Sequence, residues 1–287
     1  LCWDLKDNVH QGNIDPLSCD GYLLMLNRVS QHVAAEHDDN RLELLRRAFY
    51  FKAHLPITKA SQGQQRQWRF QELQQLITQW GWSKAILMHL DNRDEWEVHE
   101  VQSERNSLVN EMLTSYRYLA AFSNKYAKKV RINRQDLTLL GNQLYAVYDA
   151  KPGKVLTINP NIVTDLVQHK ISLVLADNRW QLISGTYKKE NDHSIIKQSP
   201  SLIELLCYAH FNGLLSHHSN FGIYPEHNAL SKYELKELLQ VVRNIARPQH
   251  IAPANFLRPS IPIQWQIFIN AGIDPMHQFT RRGMQKL

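Results

Sequence analysis

The run from Ile77 to Trp96, ITQWGWSKAILMHLDNRDEW, combines aromatic and acidic side chains that could form an active site or a binding site. It places three tryptophans beside Asp91 and Asp94. Carboxylates at this spacing could hold a metal or share a proton, and the rings could stack on a base or a sugar. The alternative is a corner between two helices, in which short polar side chains satisfy free backbone N–H groups. We favour the corner, because large aromatic side chains usually serve burial.

Two adjacent pairs offer weaker candidates. His217-His218 is the one adjacent pair among fourteen histidines, and Asp38-Asp39 are neighbouring carboxylates. Neighbouring side chains point in different directions unless the backbone turns, so we predict a solvated loop at the histidines rather than a metal site. The aspartates precede a predicted helix, and we expect them to cap it and to interact with its dipole rather than to act in acid-base catalysis.

A basic run could contact phosphate groups. Tyr126 is the one aromatic residue interleaved with it. The alternative is a solvated helix C-terminus, where the helix dipole favours cations, and we prefer that interpretation. The cations of the run are Lys125, Lys128, Lys129, Arg131 and Arg134.

The common catalytic and nucleotide-binding signatures do not occur in the chain. It contains no G-x-G-x-x-G, no G-x-x-x-x-G-K-[ST], no H-E-x-x-H and no G-x-S-x-G. A length of 287 residues with 43% hydrophobic residues suffices for one large or two ordinary globular domains. The net charge of +6 permits an acidic or phosphorylated partner without demonstrating one.

Cysteine usage and hydropathy indicate a cytoplasmic protein. Cys2, Cys19 and Cys207 form no C-x-x-C pair, which argues against a disulfide framework and a thiolate zinc site. The longest apolar runs, such as 171–176, are too short to cross a bilayer, and we expect no signal peptide. Because the chain begins at Leu1 without an initiator methionine, we expect it to be a fragment of a longer protein.

Hydrophobic periodicity predicts that the first half of the chain is helical. We expect one helix after the cap Asp20, and a second helix after a capping box formed by Asn40 and Glu43. A third helix should end at Gly81 in the left-handed conformation, and Ser83 should cap a short fourth helix. The apolar stripes of the first three helices are Tyr22-Leu26-Val29-Val33, Leu42-Leu45-Phe49 and Phe70-Leu73-Ile77-Trp80.

The longest periodic pattern predicts a single helix from about Asp94 to Lys128. Its apolar residues recur at steps of four and three, which places them on one face. Such a helix would be about 50 Å long, and we expect it to be the spine of a helical bundle. The residues of this face are Leu108, Met112, Ser115, Leu119, Phe122 and Tyr126.

Strand patterns enter only after the first half. Alternating or β-rich runs predict strands at 155–158, 171–176, 180–183 and 263–269. The polar turn at 177–179 should join the second and third of these as a hairpin.

Three further helices are predicted among the strands. One helix follows Asp136, and the others begin at S-x-x-E capping boxes that start at Ser201 and Ser231. The fold class is therefore α+β, predominantly α. We expect a helical bundle over residues 1–134 and a smaller mixed α+β module with antiparallel strands over residues 135–287.

Several motifs in order closely resemble class I adenylate cyclases of gammaproteobacteria. The resemblance spans essentially the whole chain, which makes it far more specific than one short pattern. Its motifs are the opening LCWDLKDNVHQG, LLRRAFYFK (Leu44–Lys52), WGW (Trp80–Trp82), LDNR (Leu90–Arg93), SYR (Ser115–Arg117), LYAVYDAKPGKVLTINP (Leu144–Pro160) and FNGLL (Phe211–Leu215).

The resemblance implies a cytoplasmic enzyme that converts ATP to cyclic AMP and pyrophosphate. Such a family member has an N-terminal nucleotidyltransferase-like domain, in which a Gly-Ser pair and a D-x-D pair hold Mg²⁺ against the triphosphate. In this chain no glycine precedes a serine and no two aspartates stand two residues apart. The resemblance therefore covers a segment downstream of the catalytic motif, and we assign no catalytic, cofactor-binding or metal-binding residue to it.

We accordingly expect a central, inactive part of a class I adenylate cyclase. Its partners would be the upstream catalytic domain, the downstream regulatory domain and a regulator of the sugar phosphotransferase system. Mg²⁺ and ATP are implied for the intact enzyme, and we expect this chain alone to hold neither.

Two alternatives give the basic residues a direct role. In one, a stand-alone basic helical module binds nucleic acid or another phosphorylated partner through 125–134 and Arg281-Arg282. In the other, Lys128 and Lys129 reach the triphosphate of ATP in the intact enzyme.

Overall fold

A computed structural model describes most of the chain at the level of side chains. The described residues are 2–12, 19–126, 133–149, 154–188, 195–224, 230–245, 252–259, 261–262, 264–269 and 271–272. About 60% of the described residues are helical and 10% are in strands, which confirms a predominantly helical α+β fold.

The chain divides into two compact units, Leu1–Arg93 and Asp94–Leu287. The predicted division at residue 134 adjoins residues 127–132, which lie outside the described part of the chain, and it stays a prediction.

The described part of the first unit is built from helices. A short 3-10 turn, Ile57–Lys59, lies between the third and fourth of them. The helices are α1 (Cys2–His10), α2 (Gly21–Ala35), α3 (Asp39–Ala53), α4 (Gln62–Gln65), α5 (Trp68–Trp80) and α6 (Lys84–Asp91).

Local chemistry explains where these helices begin and end. The Asp20 carboxylate accepts hydrogen bonds from the first backbone N–H groups of α2, as predicted. Asp38 caps α3, so the predicted capping box at Asn40 is wrong and the expected capping role of the aspartate pair is confirmed. Gly81 has φ 72° and ends α5, and Ser83 caps α6.

The second unit combines helices with one sheet. Its long helix α7 starts at Val98, a few residues later than predicted. The helices are α7 (Val98–Tyr126), α8 (Arg134–Tyr148), α9 (Leu202–Phe211) and α10 (Lys232–Asn244), and the strands are β1 (Lys170–Ala176), β2 (Arg179–Ser184), β3 (Ile195–Ser199) and β4 (Asn220–Tyr224).

The sheet has the strand order β3-β2-β1-β4. The predicted hairpin β1-β2 is confirmed: Asp177 (φ 49°) and Asn178 (φ 63°) form its two-residue turn, and both are left-handed as a type I′ turn requires. Strands β2 and β3 are antiparallel, whereas β1 and β4 are parallel. Strands β3 and β4 were not predicted, because β3 buries only two side chains and β4 only one, so neither shows a clear apolar pattern.

The core of the second unit joins the sheet to the helices of this unit and to the segment 158–166. Its side chains come from α9 and α10, from the hairpin and from the start of α7. Among the members with no more than 2% of their surface exposed are Val101, Leu173, Trp180, Leu182, Leu205, Leu206 and Val242. None of the described helices is both long and apolar enough to span a membrane.

Two predicted strands are wrong. In the segment 155–158 only Ile158 is buried, and the backbone bonds to side chains rather than to a neighbouring strand. Asn212 accepts from Ile158 N (2.9 Å) and donates to Leu156 O (2.9 Å), and Arg105 Nε donates to Thr157 O (3.0 Å).

The other wrong strand lies near the end of the chain. Its described residues, 264–269, are in no ladder, and its alternating Trp265, Ile267 and Ile269 side chains are 81–83% exposed. Ile263 lies outside the described residues.

Helix α7 buries a different stripe from the predicted face. Its buried side chains are Val98, Val101, Arg105, Val109 and Ser123. Three residues of the predicted face, Met112, Leu119 and Phe122, are 37–43% exposed in the described structure. The prediction of a long helix is therefore confirmed. The prediction that its apolar face is buried along its whole length is wrong, because the face is exposed from Met112 onward.

Candidate functional site

Asp91, the first candidate carboxylate, is the last residue of α6 and is only 7% exposed. Three donors converge on its two oxygens. The Tyr50 hydroxyl donates to Oδ1, while the backbone N–H and the Oγ1 hydroxyl of Thr58 donate to Oδ2 at 2.7 and 2.6 Å. These bonds tie the end of α6 to α3 and to the short 3-10 turn that follows α3.

Tyr50 is the main partner of this carboxylate and is itself buried, at 2% exposed. Burial, together with the hydrogen bond to Asp91, raises the pKa of Tyr50 well above its ordinary value. The phenol therefore stays protonated and keeps donating to the carboxylate. Its oxygen also accepts from Ile57 N at 3.2 Å, so Tyr50 and Asp91 together fix the backbone of the turn.

Two of the three tryptophans pack around this corner. The rings of Trp80 and Trp82 meet edge to face with their centres 4.9 Å apart, and the centre of the Tyr50 ring lies 5.7 Å from that of Trp82. Trp82 Nε1 donates to the Glu43 carboxylate at 2.9 Å. Trp96 belongs to the second unit and packs against the core of that unit. Trp80 and Trp82 therefore serve packing at the corner, as the preference for burial over a stacking site predicted, whereas Trp96 takes no part in anchoring the short helix α6 within the first unit.

The other residues of the run have separate partners. The Arg93 guanidinium lies 5.1 Å from the centre of the Phe51 ring, within the first unit. Asp94 belongs to the second unit, where it accepts from Thr164 N (3.0 Å) and Thr164 Oγ1 (2.8 Å). The two carboxylates therefore each organise their own unit, which is the corner interpretation of the opening run.

The weaker candidates fall into two groups. His217 and His218 are exposed in a turn, as predicted, where the Ser216 hydroxyl accepts from His218 N. In the basic run, Lys125 lies 5.4 Å from the centre of the Tyr126 ring, and Arg134 begins α8. Lys128, Lys129, Arg131, Arg281 and Arg282 lie outside the described residues.

Metal-ligating side chains do not cluster in the part of the chain that the structure describes. Within it, no three His, Cys, Asp or Glu residues lie close enough together to hold an ion. The described residues do not fit a Mg²⁺ site, and we derive no catalytic step from them.

Sequence reasoning missed a second polar hub, which lies in the second unit. Arg105 is 7% exposed, and desolvation lowers its pKa. Its guanidinium lies over the Tyr148 ring at 5.6 Å and bonds to Thr157 O and to Asn106 Oδ1. The signal was its spacing: Val98, Val101, Arg105 and Val109 share one helical stripe.

Comparison with known proteins decides the family. Residues 1–159 match the family model "Adenylate cyclase, class-I, second domain", and residues 166–249 match "Adenylate cyclase, class-I, third domain". The chain belongs to the class I adenylate cyclase family. Its resemblance to that family is therefore confirmed.

Three relatives show what share of the length of a family member this chain covers. The adenylate cyclase of Proteus mirabilis is 31% identical over an alignment 292 residues long, which covers 98% of this chain and 34% of the relative. The Escherichia coli K12 protein is 34% identical over an alignment of 256 residues, which covers 86% of this chain and 29% of the relative. The Salmonella typhimurium protein is 32% identical over an alignment of 297 residues, with coverages of 98% and 34%. The chain thus spans about one third of the length of these cyclases, and no solved structure matches it.

Proposed function

We propose that this chain is part of an enzyme that converts ATP to cyclic AMP and pyrophosphate, and that it supports and regulates a catalytic site it does not contain. The observation that carries the proposal is the match to the second and third domains of class I adenylate cyclases. The sequence lacks both the Gly-Ser pair and the D-x-D pair of the resembled catalytic motif.

The engagement of the candidate carboxylates also supports a non-catalytic role. Nucleotidyl transfer depends on carboxylates that place metal ions on the attacking 3′-oxygen and the α-phosphate. Asp91 is buried and holds a helix corner, Asp94 accepts from Thr164, and Asp38 caps α3. Each of these side chains already has a structural partner.

The exposed face of α7 supports packing against a further domain. Met112, Leu119 and Phe122 are 37–43% exposed in the described structure and lie at helical spacing. An apolar face that water contacts is a common mark of an interface. In this proposal it packs on the nucleotidyltransferase-like domain. We also propose two further partners, which are the downstream regulatory domain and a regulator of the sugar phosphotransferase system. The intact protein would act in the cytoplasm.

The test is cyclic AMP production from Mg-ATP. The purified chain is assayed alone, and then mixed with a separately made upstream domain of a class I cyclase. We expect no product from the chain alone and a higher rate from the mixture than from the upstream domain by itself. Cyclic AMP made by the chain alone would overturn the supporting role.

A pair of α7 variants sharpens this test. Replacing Met112 and Phe122 by serine should abolish the rate gain on mixing. Replacing Arg117 and Asn124, which are exposed on another face of the same helix, by serine is the matched control and should preserve the gain. Equal behaviour of the two variants would count against α7 as the contact.

A further inference from the structure

A pocket of about 200 Å³ opens in the first unit and has no part in the Asp91 corner. It lies where α2 begins, where α3 ends and where α5 begins. Its floor is apolar, since Leu23, Phe49 and Leu55 line it and are all half-buried. Such a floor favours a flat apolar group over a hydrated ion.

Two aromatic side chains stand at the mouth of this pocket. Tyr22 is 55% exposed and Trp68 is 39% exposed, and both line the pocket. Exposed rings that flank an apolar floor offer faces and edges on which a further ring can pack.

A cationic side chain lies over each of these two rings. Lys52 Nζ lies 5.6 Å from the centre of the Tyr22 ring, and the Arg69 guanidinium lies 5.4 Å from the centre of the Trp68 ring. Both cations are exposed pocket-lining residues, and the described structure records no ion pair for either. They are therefore placed to meet an anionic group at the mouth.

Two carboxylates also line the pocket and must be weighed against the cations. Asp20 Oδ1 accepts from Tyr22 N and Leu23 N at 2.9 and 3.0 Å, so this carboxylate is occupied at the start of α2. Glu72 lies one turn along α5 from Arg69, and its negative charge repels an anion that comes close to it. The site therefore suits one anionic group held at the outer rim rather than a chain of phosphates.

We propose that this pocket binds a small molecule with one aromatic ring and one anionic group, a carboxylate or a phosphate. The ring lies on the apolar floor between Tyr22 and Trp68, and the anion meets Lys52 and Arg69. Sites for drug-sized ligands usually occupy roughly 300–1,000 Å³, so this pocket is too small for a whole nucleoside triphosphate. The inference is independent of the proposed cyclase function.

In the test, the whole 287-residue chain is titrated with phenylacetate. Saturation-transfer NMR and calorimetry measure the binding. A ligand of this size should bind with a Kd of about 1 mM. The neutral analogue phenylacetamide should bind about fivefold more weakly, because it lacks the charge. Phenyl phosphate is the second probe, and the tighter of the two anions identifies the preferred head group.

Two charge-matched double variants locate the binding. Replacing Lys52 and Arg69 by glutamine should weaken phenylacetate binding about tenfold. Lys59 and Lys84 are exposed in the same unit but do not line the pocket. Replacing both by glutamine should leave the Kd for phenylacetate within about twofold of that of the unchanged chain. Circular dichroism checks that both variants fold. The proposal is overturned if neither anion binds saturably up to about 20 mM, or if the two variants bind equally well.

Discussion

Asp91 illustrates how little a residue type says about its role. A carboxylate beside tryptophans suits metal binding, proton transfer or structure equally well, and its partners decide among these. Tyr50 is 41 residues away in the chain and Thr58 is 33 residues away. All three donors contact the carboxylate within a buried corner, so its oxygens serve the fold of the first unit.

Replacing Asp91 by alanine should open this corner. The change leaves the Tyr50 hydroxyl and the two Thr58 donors without their acceptor, at a cost of about 2–4 kcal/mol in local unfolding free energy. Hydrogen–deuterium exchange of peptides from α3 and α6 measures this cost, with peptides from β1 and β2 as an internal reference.

The controls for this prediction use the partner and a neighbouring acid. Tyr50→Phe removes the donor to Asp91 and the acceptor of Ile57 N but leaves both Thr58 bonds, and should cost less than Asp91→Ala, about 1–2 kcal/mol. Glu95→Ala changes an exposed carboxylate and should leave exchange unaltered. Unchanged protection in Asp91→Ala would show that the corner does not depend on this carboxylate.

At the scale of elements, local chemistry placed several ends correctly. A side-chain cap needs only residues within one turn of the helix, and so do a left-handed glycine and a two-residue hairpin turn. Asp20, Gly81 and Ser83 act as their local sequence indicates. The segments 155–158 and 264–269 show the limit: a strand needs a partner strand, which alternation alone does not supply.

The hairpin turn gives a prediction about backbone strain. Asn178 has φ 63°, a conformation that alanine adopts poorly and glycine adopts freely. Asn178→Ala should destabilise the β1-β2 hairpin by about 1 kcal/mol, whereas Asn178→Gly should leave it as stable or stabilise it slightly. Urea unfolding measures both, and equal effects of the two substitutions would contradict the turn geometry.

The capping box of α10 gives a prediction about pH. Glu234 accepts from Ser231 N at 2.8 Å, and this bond to the backbone lowers the pKa of Glu234 below its ordinary value of 4.5. A lowered acid pKa stabilises the folded state above the ordinary value, and that contribution is lost as the pH falls through the folded-state pKa.

Glu234→Gln keeps an acceptor for the Ser231 N–H but removes the negative charge at the start of α10. It should therefore destabilise α10 by only about 0.3–0.5 kcal/mol at neutral pH, because solvent screens this exposed charge. The difference from the unchanged chain should shrink as the pH falls below 4.5. Urea unfolding at a series of pH values tests this, with Glu237→Gln on the exposed face of the same helix as the control. A difference that grows on acidification would contradict the assigned sign.

At the scale of the whole molecule, the two compact units predict independent folding. Residues 1–93 and 94–287, produced as separate chains, should each retain the helical signal expected from their elements and unfold cooperatively. Circular dichroism and urea unfolding measure this. A division at residue 134 is the matched comparison, since it removes α7 from the sheet whose core holds Val101. If the pieces divided at 134 fold better than those divided at 93, the compact units are misassigned.

What the sequence determined by itself is largely local or motif-based. Helical periodicity, caps and the hairpin turn act over a few residues, and the ordered motifs from the opening to FNGLL indicated the class I adenylate cyclase family. Tertiary structure alone decided which face of α7 is buried, which strands pair and where Asp91 finds its donors. These outcomes depend on contacts between residues far apart in the chain, and the free energy of such contacts depends on burial and geometry that no local pattern encodes.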